Sequence, residues 1–321
     1  MRLILVLCSK GIYSMKRILL IAICSVPVCS LTTLAEQAQR PTEKPMTKED
    51  LIESFSSAKY FRQQGEVARK IVALGDKTII PKMEKYLDTE DRRRRCNAAL
   101  VLAGLGDKRG LAIIIAELED KKPRPTDMIR SDGQPNTDGQ IRSDRYYAAL
   151  LLGKLGKKEA VPALIKATKD KTINYQAAIS LGKIGDKSAI PALRKMAKDF
   201  PDERLWAGYG LAALGEPEGF DMLTEVVISD SRWTERRHAV RALGEIGHPR
   251  AVPTVVKALK DRHVNVRVSA ARALSAIGDP AALAALIEAL SDTEVTKVNA
   301  PTTVAKEARK AIEAIKARKG R

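Results

Sequence analysis

A glycine recurs along this chain at intervals of 29 to 32 residues, apart from one interval of 50. The series is Gly75, Gly106, Gly156, Gly185, Gly215, Gly247 and Gly278. From Gly106 onward, alanine stands eight residues before the glycine, leucine four before it, and leucine or isoleucine one before it. Positions spaced i, i+4 and i+7 form one apolar stripe on a helix, and glycine commonly ends a helix because it adopts positive φ readily. This period predicts an array of stacked helical units rather than one globular core.

A proline recurs six residues after several of these glycines, at Pro81, Pro162, Pro191 and Pro253. Proline is tolerated in the first turn of a helix, where its missing N–H has no intrahelical partner. Each unit is therefore predicted to be a hairpin, with an A helix that begins near the proline and a B helix that ends at the glycine. Counting the stripes predicts an all-α solenoid of about eight stacked hairpins over residues 47–317. A flexible linker over 36–46 precedes it, and a basic tail over 318–321 follows it.

Three segments, 152–164, 181–193 and 243–259, resemble HEAT-like repeats of the phycobilisome-lyase type. The resemblance extends from residue 47 to the end of the chain and implies a superhelix of helical hairpins. The family includes bilin lyases, a deoxyhypusine hydroxylase and scaffolds, so the resemblance leaves the function open.

The hydroxylases of this family hold two irons with several His-Glu dipeptides. This chain has three histidines, His238, His248 and His263, and none is followed by glutamate, so that site is excluded. Bilin-lyase activity belongs to the cytoplasm and stays a remote alternative, because the N-terminus indicates export. No spacing typical of a nucleophile, a metal site or a phosphate-binding loop stands out. The sequence therefore predicts no catalytic residue, no metal and no cofactor, and it assigns each histidine to the surface or to a helix cap.

The N-terminus has the three parts of an export signal. The basic pair Lys16-Arg17 precedes an apolar run over 18–28, and Thr33-Leu34-Ala35 supplies a small-residue cleavage site. The run is shorter than the ~20 residues that a membrane-spanning helix needs, although an uncleaved signal that anchors the chain stays an alternative. Residues 1–35 are therefore predicted to be a signal peptide and the protein to be periplasmic or extracellular.

The chain carries 56 basic and 39 acidic residues, a formal net charge of +17 at pH 7. Residues 1–35 hold four of the basic residues and no acid, so +13 remains after cleavage. An exported basic surface favours acidic proteins, anionic envelope polymers or lipid headgroups over nucleic acid as partners. A solvated basic surface without a specific ligand is equally consistent with this charge.

Basic and acidic residues also repeat in register. Eleven residues before the recurring glycine stand Arg95, Arg145, Arg204, Arg236 and Arg267, with Asn174 in the remaining unit. Fourteen residues after it, in the turn between the A and B helices, stand Asp120, Asp170, Asp199, Asp261 and Asp292. An arginine at the start of each B helix beside an aspartate in the turn resembles the Asp–Arg ladder of HEAT repeats, so these residues are assigned to structure.

Positions −10 and −6 of the B helices, counted from the glycine, project away from the apolar stripe, and we expect them to line a concave surface. They hold aromatic and apolar residues in the middle units and arginine toward the C-terminus. Aromatic anchors beside arginines are typical of partner-binding surfaces. The predicted partner-binding residues are Tyr146, Tyr147, Tyr175, Trp206, Tyr209, Arg237, Arg241 and Arg272. The alternative is that close packing buries this row as core.

The 50-residue interval contains about 19 residues more than one unit, over about 121–143. The extra segment is rich in proline, glycine, aspartate and asparagine, which predicts a surface loop next to the concave surface, placed to cover it.

Together these features predict an exported, non-catalytic scaffold that binds a protein or peptide in a concave groove with aromatic and basic side chains. Adhesion of the basic surface to an anionic polymer or lipid is the first alternative. An enzyme activity, with a ligand under the inserted loop, is the second.

Overall fold

A computed structural model describes residues 46–296 and 301–319 of the chain. The predicted signal peptide, nearly all of the predicted linker and residues 320–321 lie outside the described residues. Within those residues lie sixteen α-helices, which belong to one compact unit beginning at Lys48. In chain order they are α1 Lys48–Ser57, α2 Phe61–Leu74, α3 Ile80–Glu84, α4 Arg92–Gly104, α5 Lys108–Glu119, α6 Thr137–Leu155, α7 Val161–Ala167, α8 Asn174–Ile184, α9 Ile190–Asp199, α10 Arg204–Ala213, α11 Pro217–Ser229, α12 Trp233–Ile246, α13 Val252–Ala258, α14 Val264–Ile277, α15 Leu283–Glu288 and α16 Val304–Lys319.

Consecutive helices pair into eight hairpins, in which the odd-numbered helix is the A helix and the even-numbered helix the B helix. Each B helix packs against the B helix of the next hairpin. The predicted all-α solenoid is therefore confirmed. Every recurring glycine from Gly75 to Gly278 has a positive φ, between +66° and +95°, as the helix-ending role requires. The four recurring prolines lie in the first turn of α3, α7, α9 and α13.

The apolar stripe of the B helices is the core of the array. The stripe residues at −8 and −4 are all 0% exposed: Ala98, Ala148, Ala177, Ala207, Ala239, Ala270, Leu102, Leu152, Leu181, Leu211, Leu243 and Leu274. Burial of each leucine side chain contributes roughly 1.5–3 kcal/mol relative to exposure. Small residues at −3 bring successive B helices together. A Cβ on Gly244, for example, would lie 2.6 Å from the Cβ of Ala273 in the next B helix.

The predicted insertion is only partly a loop. Its first part, up to Asn136, is irregular and contains a tight turn in which the Arg130 carbonyl accepts from the N–H of Gly133 at 3.0 Å. Residues 137–143, expected as loop, are instead the first two turns of α6. Arg124 anchors the loop by bonding Asp144, which is 1% exposed, at 2.7 and 2.8 Å.

Three rungs of the Asp–Arg ladder join neighbouring hairpins along the edge formed by the A–B turns. The ion pairs are Arg145–Asp170 at 2.8 Å, Arg236–Asp261 at 2.7 Å and Arg267–Asp292 at 2.6 Å. Each arginine also donates to a backbone carbonyl of its own hairpin near the A–B turn, at Leu118, Asp230 and Asp261 respectively. A rung therefore ties one hairpin's backbone to the turn of the next hairpin.

The second hairpin makes its rung with a different arginine than expected. Arg92, not Arg95, reaches Asp120, at 2.6 Å. Arg95 pairs instead with Glu117 at 2.9 Å and donates to the carbonyl of Thr89. Four consecutive arginines begin α4, so one that lies three residues earlier on the same helix face can take the role.

The ladder lacks a rung on each side of the fifth hairpin. At the first, Asn174 is too short to reach Asp199, which is exposed and pairs with Lys195 at 2.9 Å. In the intact rungs the aspartate also accepts the N–H two residues on, but here that residue is Pro201, which has none.

At the second missing rung, Arg204 turns to Glu225 at 3.0 Å, and Asp230 pairs with Arg232 at 3.3 Å. The ladder is thus interrupted on both sides of α10. The same helix is where two clusters of buried apolar side chains meet, one running from Leu51 to Leu214 and the other from Leu205 to Ile315.

Candidate partner-binding surface

An ion pair identifies the inner side of the stacked B helices. Lys183 at the end of α8 and Glu245 at the end of α12 lie 2.9 Å apart, although α10 stands between their helices. Helices two hairpins apart can meet in this way only on the concave side. Both residues stand at position −2, where α10 has the small Ala213. Positions −10, −6 and −2 share a helix face, so the positions predicted to line the concave surface lie on this side.

A continuous row of aromatic rings crosses this surface. Its members are Tyr146 on α6, Tyr175 on α8, Trp206 on α10 and His238 on α12, and we call it the aromatic row. Successive ring centroids are 5.6, 6.0 and 5.7 Å apart, within the range of favourable aromatic pairs. All four residues are half-buried, so each keeps some solvent-accessible surface.

His238 is the member of the aromatic row that sequence analysis missed. It shares position −9 with Trp206, and that common register was the available signal. Burial lowers the pKa of His238, which keeps the imidazole neutral at pH 7 and compatible with the neighbouring indole. The other two histidines cap turns, because the Nδ1 atoms of His248 and His263 accept backbone N–H groups two residues on.

Two residues predicted for this surface are buried instead. Tyr147 is 8% exposed; its hydroxyl donates to Oδ1 of Asn97 at 2.6 Å and its ring meets Phe61 edge-on. Burial raises the pKa of Tyr147 to about 12. Tyr209 is 4% exposed; its ring lies against Gly182 of α8 and its hydroxyl hydrogen-bonds Glu245 at the end of α12. Neither tyrosine can serve as an exposed anchor.

The three predicted arginines lie at the C-terminal end of the aromatic row, on α12 and α14. Arg237 is half-buried, with its guanidinium carbon 5.4 Å from the centroid of the Trp233 ring. Arg241 is exposed, and so is Arg272, whose Nε lies 3.1 Å from Glu307 on α16. Arg241 and Arg272 line a cavity of about 230 Å³ on the concave side.

The inserted loop turns away from the aromatic row. Its side chains bond residues near the A–B turns: Arg124 contacts Asp144 and Asp91, and Lys121 contacts Asp170 at 3.1 Å. Thr126 donates to Gln140 at the start of α6. These contacts hold the loop along the ladder edge, where it does not cover Tyr175 or Trp206.

The described residues offer neither a metal site nor a membrane-spanning helix. Over 46–296 and 301–319, no group of three or more histidine, cysteine, aspartate or glutamate side chains could hold a metal ion. Within those same ranges, every helix is too short or too polar to cross a lipid bilayer.

Helical hairpins stacked in register, with a partial Arg–Asp ladder along one edge, define an α-solenoid repeat protein. Residues 141–212 and 220–305 match the family of HEAT repeats. The chain is a HEAT-repeat protein, a class of scaffold that presents extended surfaces to proteins and peptides. No curated protein matches the sequence at a significant level.

Solved structures with related architecture are distant. The complex of CpcE and CpcF of phycocyanin lyase from Nostoc sp. PCC7120 is 22% identical, covering 74% of this chain and 94% of that chain, with a TM-score of 0.45. Human deoxyhypusine hydroxylase in complex with glycerol is 19% identical, covering 84% and 96%, with a TM-score of 0.34. A designed armadillo repeat protein in complex with the peptide (KR)4 is 16% identical, covering 85% and 100%, with a TM-score of 0.34. Similarity at this level does not extend to ligand or activity.

Proposed function

We propose that this protein is an exported, non-catalytic scaffold that binds a segment of a partner protein on its concave side. The observation that carries the proposal is the aromatic row, in which Tyr146, Tyr175, Trp206 and His238 form one half-buried strip over four consecutive B helices. Rigid aromatic side chains lose little conformational freedom on binding and dominate the energetics of many interfaces.

The surroundings of the aromatic row suit a protein segment better than a small substrate. The cavity on this side is small, about 230 Å³, whereas the row itself is open and elongated. Apolar side chains at −6, Leu150 and Ile179, lie half-buried beside the rings. An elongated strip with aromatic and aliphatic side chains and arginines at one end matches the composition of protein-binding surfaces.

Export is part of the proposal and rests on the sequence of residues 1–35. Mass spectrometry of the protein recovered from the periplasm or medium should give a chain that begins at Glu36. A full-length chain that stays in the cytoplasm would refute export without touching the binding surface.

The binding surface is tested by presenting the immobilised protein with a displayed library of random dodecapeptides. Tyr175→Asp places a charge in the middle of the aromatic row and should reduce capture of the selected peptides at least tenfold. Tyr60→Asp is the matched control, since Tyr60 is 57% exposed and lies at the start of α2, away from the row. Circular dichroism should show unchanged helix content in both variants.

Equal loss of capture in both variants, or none in either, would refute the proposal. The tryptophan fluorescence, to which Trp206 and Trp233 both contribute, should shift when a selected peptide binds, because the half-buried ring of Trp206 becomes desolvated. A peptide that binds without changing that fluorescence must bind elsewhere.

A second candidate function is adhesion to an anionic polymer. A cavity of about 530 Å³ lies near the A–B turns of the third and fourth hairpins, and four lysines line it: Lys121, Lys166, Lys169 and Lys171. Lys121 and Lys166 have acidic partners, whereas Lys169 and Lys171 pair with no described carboxylate. The cluster therefore leaves positive charge uncompensated, which attracts polyanions.

Retention on dextran sulfate distinguishes the two candidates. Adhesion predicts that retention falls steeply as salt screens the exposed lysines, and that Lys169→Gln with Lys171→Gln lowers it. Retention that is unaffected by these substitutions would refute the lysine cluster as an adhesive site.

A further inference from the structure

Arg237 and Arg241 stand one helical turn apart on the concave face of α12 without a counter-charge. Among the described residues, no carboxylate lies within ion-pair distance of either guanidinium, whereas other arginines of the array, such as Arg236 and Arg267, are paired. Like charges at i and i+4 destabilise a helix. Because this pair of arginines costs stability, we infer that it binds a group outside the chain.

The Nε atom of Arg237 is buried and has no hydrogen-bond acceptor. A buried donor without a partner is costly, since folding removes the water that satisfied it. Burial, and then the nearby charge of Arg241, lower the pKa of Arg237. A lowered pKa is the direction expected for a buried cation that has no anion beside it. This end of the concave side therefore carries positive charge that nothing in the described chain neutralises.

A small cavity adjoins this charge. Arg241 and Arg272 line it, together with Glu245, Ser269 and the closely packed Gly244 and Ala273. Arg272 is already oriented, because Glu307 holds its Nε at 3.1 Å. Glu307 also accepts hydrogen bonds from Thr302 and Lys310, so its charge is shared and does not neutralise Arg272 alone.

The spacing of the aromatic row indicates the shape of the chain that would reach this cavity. Neighbouring rings are 5.6 to 6.0 Å apart, and an extended peptide advances about 3.3 Å per residue. Two residues of an extended chain advance about 6.6 Å, slightly more than one ring spacing, so they correspond approximately to one hairpin. Alternate side chains of such a peptide point to the same side, so every second residue would meet the next ring.

We propose that Arg241 and Arg272, with Arg237 beside them, bind the carboxylate side chains at one end of an extended peptide whose alternate apolar side chains lie on the aromatic row. The arginines favour the acidic end of the peptide by charge complementarity. The aromatic row favours a peptide with apolar side chains over a polyanion that has none. The inference rests on the proposed function and specifies the partner as an extended segment with apolar residues at every second position, followed by glutamate or aspartate.

The test is selection of dodecapeptides from a displayed random library on the full chain. The expected consensus joins apolar residues at alternate positions to at least one acid about two residues beyond the last of them. A synthetic copy of a selected peptide should bind at least tenfold more tightly than its glutamate-to-glutamine version when measured by fluorescence anisotropy. Raising the salt concentration should reduce that preference, since it comes from ion pairs.

Arg241→Gln separates the inference from the proposed function. Arg241 is exposed and makes no ion pair with a described residue, so its replacement should leave the fold intact. The variant should bind the glutamate and glutamine peptides within twofold of each other. Lys257→Gln is the matched control, because it removes one positive charge from the exposed side of α13, and it should keep the full preference.

Each result points to one conclusion. A consensus without enriched acids, or a preference that survives Arg241→Gln, overturns the carboxylate subsite and leaves the aromatic docking surface standing. Peptides whose binding is insensitive to Tyr175→Asp overturn the docking surface itself.

Discussion

The strongest stability prediction concerns Arg236, which makes the most buried rung of the ladder. Its side chain is 4% exposed and that of Asp261 is 9% exposed. Two of its nitrogens bond the carboxylate at 2.7 and 2.9 Å, and a third bonds the carbonyl of Asp230 at 2.9 Å. Arg236→Gln removes these three guanidinium hydrogen bonds. It leaves the Asp261 carboxylate buried with only a backbone N–H as donor.

Removing one partner of a buried ion pair typically costs about 3–5 kcal/mol, whereas an exposed pair contributes roughly 0–1 kcal/mol. Arg236→Gln should therefore lower the melting temperature by roughly 6–10 °C, at about 2 °C per kcal/mol for a chain of this length. The matched control is Lys260→Gln, which breaks an ion pair between side chains that are 77% and 68% exposed. The control should melt within about 2 °C of the unmodified protein.

The pH dependence provides an independent check, measured by thermal melts from pH 7 down to pH 2. Burial alone would raise the pKa of Asp261, but hydrogen bonds from Arg236 and from the N–H of His263 outweigh it and lower the pKa. A carboxyl whose pKa is depressed by folding stabilises the protein above its unfolded pKa, about 3.9, and loses that contribution as the pH falls through the folded pKa. The advantage of the unmodified protein over Arg236→Gln should therefore shrink below about pH 4. An equal melting temperature for Arg236→Gln and Lys260→Gln at pH 7 would refute the reasoning.

Three further predictions concern other contacts. Gly219→Ala should destabilise the protein by about 1–3 kcal/mol in urea unfolding, because its Cβ would collide with the backbone nitrogen of Ala212 where α11 crosses α10. Asn174→Leu should stabilise it by about 1–3 kcal/mol in the same assay, since both polar atoms of this fully buried amide lack partners and leucine has a similar shape. The pKa of Glu307 is lowered to about 2, chiefly by the hydrogen bond from Arg272, so the protection of α16 amides, measured relative to the intrinsic exchange rate at each pH, should persist as the pH falls and decline near pH 2. In Glu307→Gln that decline should be absent, and a decline near pH 4 in the unmodified protein would contradict the assignment.

The hairpins and part of the ladder could be predicted because both depend on distances along one chain. The glycine register sets where each B helix ends, and counting from it placed Arg145, Arg236 and Arg267 opposite their aspartates. The absence of a rung at Asp199 was not predicted, although Asn174 and Pro201, which lacks the N–H that orients the aspartate elsewhere, are both visible in the sequence. The role of Arg92 was not predicted either, since four arginines in a row leave the choice to packing.

The site was harder to predict, because burial depends on how closely neighbouring helices approach. Register shows which side of a helix a residue occupies, but Tyr147 is buried by contacts to Phe61 and Asn97, in the first and second hairpins. Tyr209 is buried where its ring lies against Gly182 of α8 and its hydroxyl hydrogen-bonds Glu245 of α12. His238 was assigned to the surface for lack of ligand spacing, although its register matched that of Trp206.

The two absent rungs beside α10 give the array a mechanical weak point. At the hairpins that carry a rung, an arginine guanidinium bonds one hairpin to the turn of the next. Bending the array at those hairpins must therefore break charged hydrogen bonds. At the fifth hairpin the aspartate rungs are absent, and only exposed ion pairs such as Arg204–Glu225 join it to the sixth hairpin, while Lys183 and Glu245 still span the inner side. Under pulling force or mild heat, we expect the fifth hairpin to unfold first, while the hairpins on either side of it stay folded. Protease cutting at the Phe200-Pro201 turn would then precede cutting at any other turn.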